Sequence, residues 1–162
     1  MQLERFVAKS TTNSWRTWRN SLLSANTPTI ARKKPNLVLL KADLLFNGGY
    51  GQKALDLLSK HKTESFDGQK DKINYVYLKG RISQDMRSEK AISYFKETIE
   101  IGRNKPYYFA CNAALQIGLI YENRSMTSTA KRYYKICLSI KPSEYRSSLH
   151  AKAKAGLNRL KK

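Results

Sequence analysis

Apolar residues recur between residues 37 and 160 at intervals of three, four and seven, which is the period of an amphipathic α-helix. The stretches with this pattern contain Leu37, Leu40, Leu44 and Leu45; Leu55, Leu57 and Leu58; Tyr75, Leu78 and Ile82; Ile92, Phe95 and Ile99; Ala114, Ile117 and Tyr121; Ala130, Tyr134 and Cys137; and Leu149, Ala153 and Leu157. The spacing argues against strands. The chain is therefore predicted to be all-α, with three helix pairs followed by a single last helix.

Small residues repeat along the chain at a constant interval. Ala42, Gly80 and Gly118 are 38 residues apart, and an asparagine stands six residues before each of them. An alanine later in each unit is followed four residues on by a bulky residue, giving the pairs Ala54 and Leu58, Ala91 and Phe95, and Ala130 and Tyr134. Periods of roughly 20 to 50 residues indicate stacked helical units. We expect the small residue to let the second helix approach, and the bulky residue to fill the space toward the next unit.

Turn residues fall between the predicted helices. Glycines within 48–51 break the first pair, because glycine readily adopts the positive φ found at helix C-termini. Pro35, Pro106 and Pro142 mark the boundaries between units. The repeat units are therefore predicted at 35–68, 72–105 and 106–144, with a capping helix over 145–160.

Polar residues supply the other boundary signals. Ser88 and Thr127 or Ser128 stand where N-caps of the second helices are expected. The polar stretch 60–71 is predicted to be the longest connection between helices.

The third unit combines Gly118-Leu119-Ile120-Tyr121 with Ala130 and Tyr134, and then with Cys137 and Pro142. In this order the unit resembles the tetratricopeptide repeat (TPR), although alanine stands where that family's pattern has tryptophan. The first two units resemble the pattern less closely, and their spacing is longer. The resemblance implies an α-α superhelix of about three TPR-like helix pairs with a concave groove that binds peptides.

Residues 34–160 also resemble the C-terminal repeats of longer TPR proteins of Bacteroidetes-type bacteria. The segments KPNLVLLKADLLFNGGYGQKALDLL, PYYFACNAALQIGLIYENR and HAKAKAGLNRL carry this resemblance. It implies that the chain is a partial copy of a longer protein. Residues 1–33 are predicted to be a basic, loosely held segment with one helix, since Trp15, Trp18 and Leu22 share a helical face.

The formal net charge of +19 bears on which kind of partner the chain would bind. The excess of Lys and Arg is concentrated at the two ends of the chain, and residues 35–68 are balanced. A positive field favours anionic partners and speeds their encounter. We therefore expect a protein or peptide partner with acidic character.

Five residues form the candidate partner-binding set. Asn36, Asn74 and Asn112 are equally spaced, and their amides could hold a peptide backbone or a carboxylate in a groove. Tyr77 and Arg81 share a similar helix face with Asn74 and could add an aromatic wall and a cation. The alternative is that the asparagines cap or begin their helices, and that Tyr77 and Arg81 belong to an ordinary solvated face.

Two aromatic and basic motifs favour a second interpretation. Lys105-Pro106-Tyr107-Tyr108 and Arg132-Tyr133-Tyr134-Lys135 interleave cations with rings, as non-specific nucleic-acid-binding proteins do. Tyr134, however, is predicted to lie in the repeat core. A third interpretation is a structural fragment of a larger TPR assembly, and the sequence leaves the oligomeric state open.

Other chemistry is not indicated. The cysteines Cys111 and Cys137 are each expected to pack as a small buried residue, and isolated His61 and His150 give no metal-ligand spacing. No catalytic set can be assembled, so the chain is predicted to be a scaffold without enzymatic activity, cofactor or metal. In the absence of a signal-peptide pattern the expected location is cytoplasmic, whereas a longer parent protein would imply an envelope or exported one.

Overall fold

The computed structural model describes residues 35–161, which belong to one compact unit. They form seven α-helices and one 3₁₀ turn. The helices are α1 Leu37–Asn47, α2 Gly51–Ser59, α3 Gln69–Asp85, α4 Lys90–Gly102, α5 Phe109–Asn123, α6 Thr127–Ser139 and α7 Arg146–Arg159, and the 3₁₀ turn is Thr63–Ser65. The predicted all-α fold is confirmed, with no strand in this range. The helix predicted around Trp15, Trp18 and Leu22 lies outside the described residues.

The helices stack in the order of the chain. Each packs on the next, and the odd-numbered helices also contact one another in the series α1, α3, α5 and α7. The even-numbered helices α2, α4 and α6 make no such contacts among themselves. This is the packing of a helical repeat, in which the first helices of successive pairs form a continuous layer. A superhelical course of the stack remains a prediction.

The core is divided into three clusters that follow the repeat. The first joins α1, α2 and α3, the second joins α3, α4 and α5, and the third joins α5, α6 and α7. Each cluster therefore contains one predicted pair together with the first helix of the next. No pair buries its apolar face alone, which explains why the last pair needs α7.

The prediction of which face of α1 is buried was wrong. Leu39 and Ala42 are the buried residues, whereas Leu37, Leu40 and Leu44 are exposed. This helix is apolar on nearly every side, so its periodicity did not define one buried face.

The repeated glycines accept aromatic rings. A Cβ atom added at Gly80 would lie 2.7 Å from Cδ1 of Phe95, and one added at Gly118 would lie 2.5 Å from Cε1 of Tyr134. Each bulky residue thus packs on the small residue of its own unit. Tyr134 also reaches the next helix, because a Cβ atom at Gly156 of α7 would lie 2.5 Å from Cε2 of its ring. The predicted contact of Tyr134 with the next helix is therefore present, at Gly156 of α7. Its contact with Gly118 of its own unit was not predicted.

The turn predictions are correct at the glycines and at the long connection. Gly49 has φ of +83° between α1 and α2, a conformation that a side chain would strain. The nine-residue connection between α2 and α3 is the longest in the described range. Its Phe66 is buried, and the Tyr75 hydroxyl donates to the carbonyl oxygen of His61 at 2.6 Å, so this segment is anchored to the core.

The cap predictions miss the N-cap positions. Ser88 lies one residue before Glu89, the N-cap position of α4, although its side chain accepts a bond from the Lys90 N–H at 3.4 Å. Thr127 and Ser128 lie inside α6, whose N-cap position is Met126 without a side-chain bond. Their assignment as caps was therefore wrong.

Candidate partner-binding groove

A groove of about 680 Å³ runs along the layer of odd-numbered helices. We call this feature the groove throughout. Its lining residues are Phe46 of α1; Arg81, Gln84 and Asp85 of α3; Arg87; Asn112, Leu115, Gln116 and Leu119 of α5; and Leu149 and Lys152 of α7. All four odd-numbered helices contribute, which follows from the contacts between them. The groove therefore spans the three repeat units and the capping helix.

Three amides form a hydrogen-bonded chain along the groove. Gln84 Nε2 donates to Gln116 Oε1 at 3.0 Å, and Gln116 Nε2 donates to Asn112 Oδ1 at 3.1 Å. Asn112 Nδ2 then donates to the Tyr77 hydroxyl at 2.7 Å. Asn112 and Gln116 are one turn apart on α5, whereas Gln84 and Tyr77 come from α3. The chain of bonds thus fixes the amides across two adjacent first helices.

Arg81 extends this network toward α1. Its Nη1 donates to the Tyr77 hydroxyl at 3.3 Å, and its guanidinium carbon lies 5.5 Å from the centre of the Phe46 ring. The residue is partly exposed and lines the groove. The cation is therefore oriented by an aromatic face and a hydroxyl while remaining within reach of a ligand.

Tyr77 belongs to the core and not to the groove wall. Its ring is 4% exposed and packs near Phe95, Phe109 and Tyr108. Burial raises the pKa of Tyr77, although Arg81 and Asn112 oppose the shift. The hydroxyl is therefore neutral near pH 7, and it accepts bonds from both neighbours. Its role is to position Asn112 and Arg81.

The structure brings together only part of the predicted site. Tyr77, Arg81 and Asn112 form one network, as described above. Asn36 instead caps α1, since its Oδ1 accepts bonds from the N–H groups of Val38 at 3.0 Å and Leu39 at 3.2 Å. Asn74 lies within α3, partly buried, and does not line the groove. The capping alternative is therefore correct for Asn36 and wrong for Asn74 and Asn112, which both lie inside their helices.

Sequence reasoning missed five polar residues of the groove, namely Gln84, Asp85, Arg87, Gln116 and Lys152. Gln84 and Gln116 are 32 residues apart, so they do not follow the 38-residue interval that revealed the asparagines. Lys152 lies on the capping helix, outside the repeats. A helix-face argument from Asn112 to Gln116, four residues on, would have found one of them.

The charge of the groove is positive. Arg81, Arg87 and Lys152 stand against the single carboxylate of Asp85 among its lining residues. Within the described range, no ion pair neutralises any of these three cations. A ligand with carboxylate groups would be attracted, and hydrogen bonding to the cations would orient it.

A second cationic surface lies on α6 alone. We call it the α6 patch, and it borders a shallow depression of about 580 Å³. Its residues are Ser128, Lys131, Arg132, Lys135, Ile136 and Ser139. None of the described residues that line it carries a carboxylate.

The tyrosine rings of the two basic motifs are buried or in contact with other side chains of the protein. Tyr134 is fully buried, as predicted, and Tyr133 stacks on Tyr121 with ring centres 5.8 Å apart. The ring centres of Tyr108 and Phe109 are 4.4 Å apart, and Lys70 Nζ lies 5.6 Å from the ring centre of Tyr107. Few ring faces are thus left on which a nucleic-acid base could stack.

Comparisons with protein-family models, curated proteins and solved structures yield no match. Likeness to the TPR family therefore remains a prediction from the residues. Between residues 35 and 161, no helix is long and apolar enough to cross a membrane. The same residues contain no group of three or more His, Cys, Asp or Glu side chains placed to hold a metal ion.

Proposed function

We propose that this chain is a protein-interaction module that binds an extended peptide segment of a partner in the groove. The single observation that supports it is the amide chain of Gln84, Gln116 and Asn112 across adjacent first helices. Each side-chain amide offers two donors and an acceptor with two lone pairs, and the internal bonds use only part of this capacity. The remaining groups match the alternating donors and acceptors of a peptide backbone.

Affinity and preference would come from different parts of the groove. Phe46 and Leu119 are partly exposed and supply apolar contacts, and apolar area buried on binding favours association. Arg81, Arg87 and Lys152 favour an acidic segment and speed its association. A preformed amide network reduces the entropy that binding must overcome. The expected ligand is therefore an extended acidic peptide with apolar side chains.

A peptide-display selection on the described domain tests this proposal. A peptide selected on the wild-type protein should bind a Gln84→Ala and Gln116→Ala double variant about 30-fold more weakly, because two hydrogen bonds of about 1 kcal/mol each are removed. Isothermal titration would give both Kd values. Ser128→Ala and Ser139→Ala on the α6 patch form the control, which should retain wild-type affinity. An unchanged Kd in the glutamine variant would show that the amide chain is only structural.

Non-specific nucleic-acid binding is the second candidate function, and the α6 patch favours it. Lys131, Arg132 and Lys135 lie together there, with no carboxylate among the described residues that line the depression. A cluster of cations of this kind would bind phosphates with a strong dependence on salt. If this function holds, binding to a random single-stranded oligonucleotide should fall steeply between 50 and 200 mM salt. Fluorescence anisotropy would measure it, and binding absent at low salt would exclude this candidate.

A further inference from the structure

Two cysteines that are 26 residues apart in sequence meet in the third core cluster. The sulfur atoms of Cys111 on α5 and Cys137 on α6 are 3.5 Å apart, and both residues are fully buried. The Cys111 sulfur also lies 3.4 Å from the carbonyl oxygen of Cys137. Both thiols are free. The expectation that each packs as a small buried residue is confirmed, and the pairing of α5 with α6 also brings the two into contact.

We propose that Cys111 and Cys137 form a reversible intramolecular disulfide that fastens α5 to α6 under oxidising conditions. A disulfide bond is about 2.05 Å long. The sulfur atoms must therefore approach by roughly 1.5 Å, a movement that small rotations of two side chains can share. Neither thiol is among the residues that line the groove, so this role is separate from peptide binding.

Peroxide is the class of oxidant that balances the reaction. The Cys111 thiolate attacks one oxygen of hydrogen peroxide, the O–O bond breaks, and a sulfenic acid and hydroxide form. The sulfur of Cys137 then displaces the sulfenic hydroxyl group and forms the S–S bond. Each sulfur loses one electron, the two peroxide oxygens are reduced, and the two thiol protons end in two water molecules.

The contact between the two sulfurs sets their pKa values apart. It lowers the pKa of Cys111, and the same contact together with burial raises the pKa of Cys137. Cys111 is therefore the thiol that reaches the thiolate form first, and thiolate is the reactive species. Cys137 is the resolving residue.

Access to the pair is controlled by the capping helix. The Cys137 sulfur lies 4.0 Å from the carbonyl oxygen of Leu149, and Leu149 and Ala153 of α7 belong to the same core cluster as both cysteines. At the far end of α7, Arg159 Nε donates to Glu122 Oε1 at 2.8 Å. Peroxide can reach the sulfurs when α7 separates locally. Weakening the Arg159 contact should therefore speed oxidation without touching the thiols.

The full chain, treated with hydrogen peroxide and then alkylated, tests the proposal. Peptide mapping identifies the product, because exposed Met86 and Met126 will be oxidised in parallel. We expect a crosslinked Cys111–Cys137 peptide lighter by two hydrogen atoms, and a thermal midpoint raised by roughly 5–15 °C. Reduction with dithiothreitol should reverse both changes.

Two variants complete the test. Cys137→Ser, treated in the same way, should show no rise in thermal midpoint, and its Cys111 should proceed to sulfinic acid. Arg159→Ala should form the disulfide at least about threefold faster than wild type, as expected for more frequent local opening. The proposal is overturned if both thiols of the wild type still alkylate fully after peroxide treatment, or if the disulfides that form join separate chains.

Discussion

Replacing Tyr134 with alanine is expected to lower the free energy of unfolding by about 3–5 kcal/mol, the usual range for removing a large buried aromatic ring. The ring is fully buried and lies between Gly118 of α5 and Gly156 of α7. Neither glycine has a side chain that can move into the space left behind. The cavity would therefore persist, and α7 would lose a major contact with the third pair. Urea unfolding followed by circular dichroism measures the change.

Tyr134→Phe is the matched control for this substitution. It keeps the ring and removes only the hydroxyl group, which donates to Glu122. Because Arg159 also binds the Glu122 carboxylate, at 2.8 and 2.9 Å, and holds the pKa of Glu122 below its usual value, that group keeps a partner. We expect a loss of about 1 kcal/mol or less. Similar losses for the alanine and phenylalanine variants would refute the packing role of the ring.

Gly118→Ala is expected to destabilise the protein by about 1–3 kcal/mol, even though alanine is the better helix former by about 1 kcal/mol. The added Cβ atom would lie 2.5 and 2.7 Å from two ring carbons of Tyr134. The ring cannot retreat, because Gly156 contacts its opposite edge equally closely. Backbone displacement between α5 and α6 is the remaining way to relieve the overlap.

Gly51→Ala provides the comparison at a site without this constraint. Gly51 begins α2, and its nearest neighbour for an added Cβ atom is Cγ2 of Ile82 at 3.5 Å, an ordinary contact. The same substitution should therefore be neutral or stabilising there. Thermal unfolding of the two variants side by side measures the difference. If Gly118→Ala stabilises the protein as Gly51→Ala does, the close packing of Tyr134 is wrong.

The sequence was sufficient for the fold because its strongest signals were local or repeated. The small residues Gly80 and Gly118 recur with the aromatic residues Phe95 and Tyr134, and helix packing turns that interval into contacts. Helix ends were less predictable. Helix α5 begins three residues before Asn112, and α3 begins five residues before Asn74. Neither start has a hydrogen bond from a capping side chain. An interval alone therefore does not separate a cap from a groove residue.

The candidate site was only partly predictable because it depends on how two helices are rotated. Arg81 and Asn112 were found through charge and spacing, but Gln84 and Gln116 meet only when α3 and α5 are packed. The same reason applies to Cys111 and Cys137, whose contact requires the relative rotation of α5 and α6. Residue-type patterns define the faces of single helices, and they do not define which side chains meet between helices.

The most direct measurement of the central claim compares two variants of equal net charge against one selected acidic peptide. Arg81→Ala with Lys152→Ala removes two cations from the groove, and Arg132→Ala with Lys135→Ala removes two from the α6 patch. Titration at 150 mM salt should show at least about 10-fold weaker binding for the groove variant, since hydrogen bonds to charged groups contribute about 1.5–3 kcal/mol. The α6 variant should bind within about twofold of wild type, because exposed charges outside the contact are screened. Weaker binding by the α6 variant, with the groove variant unchanged, would contradict the groove as the partner-binding site.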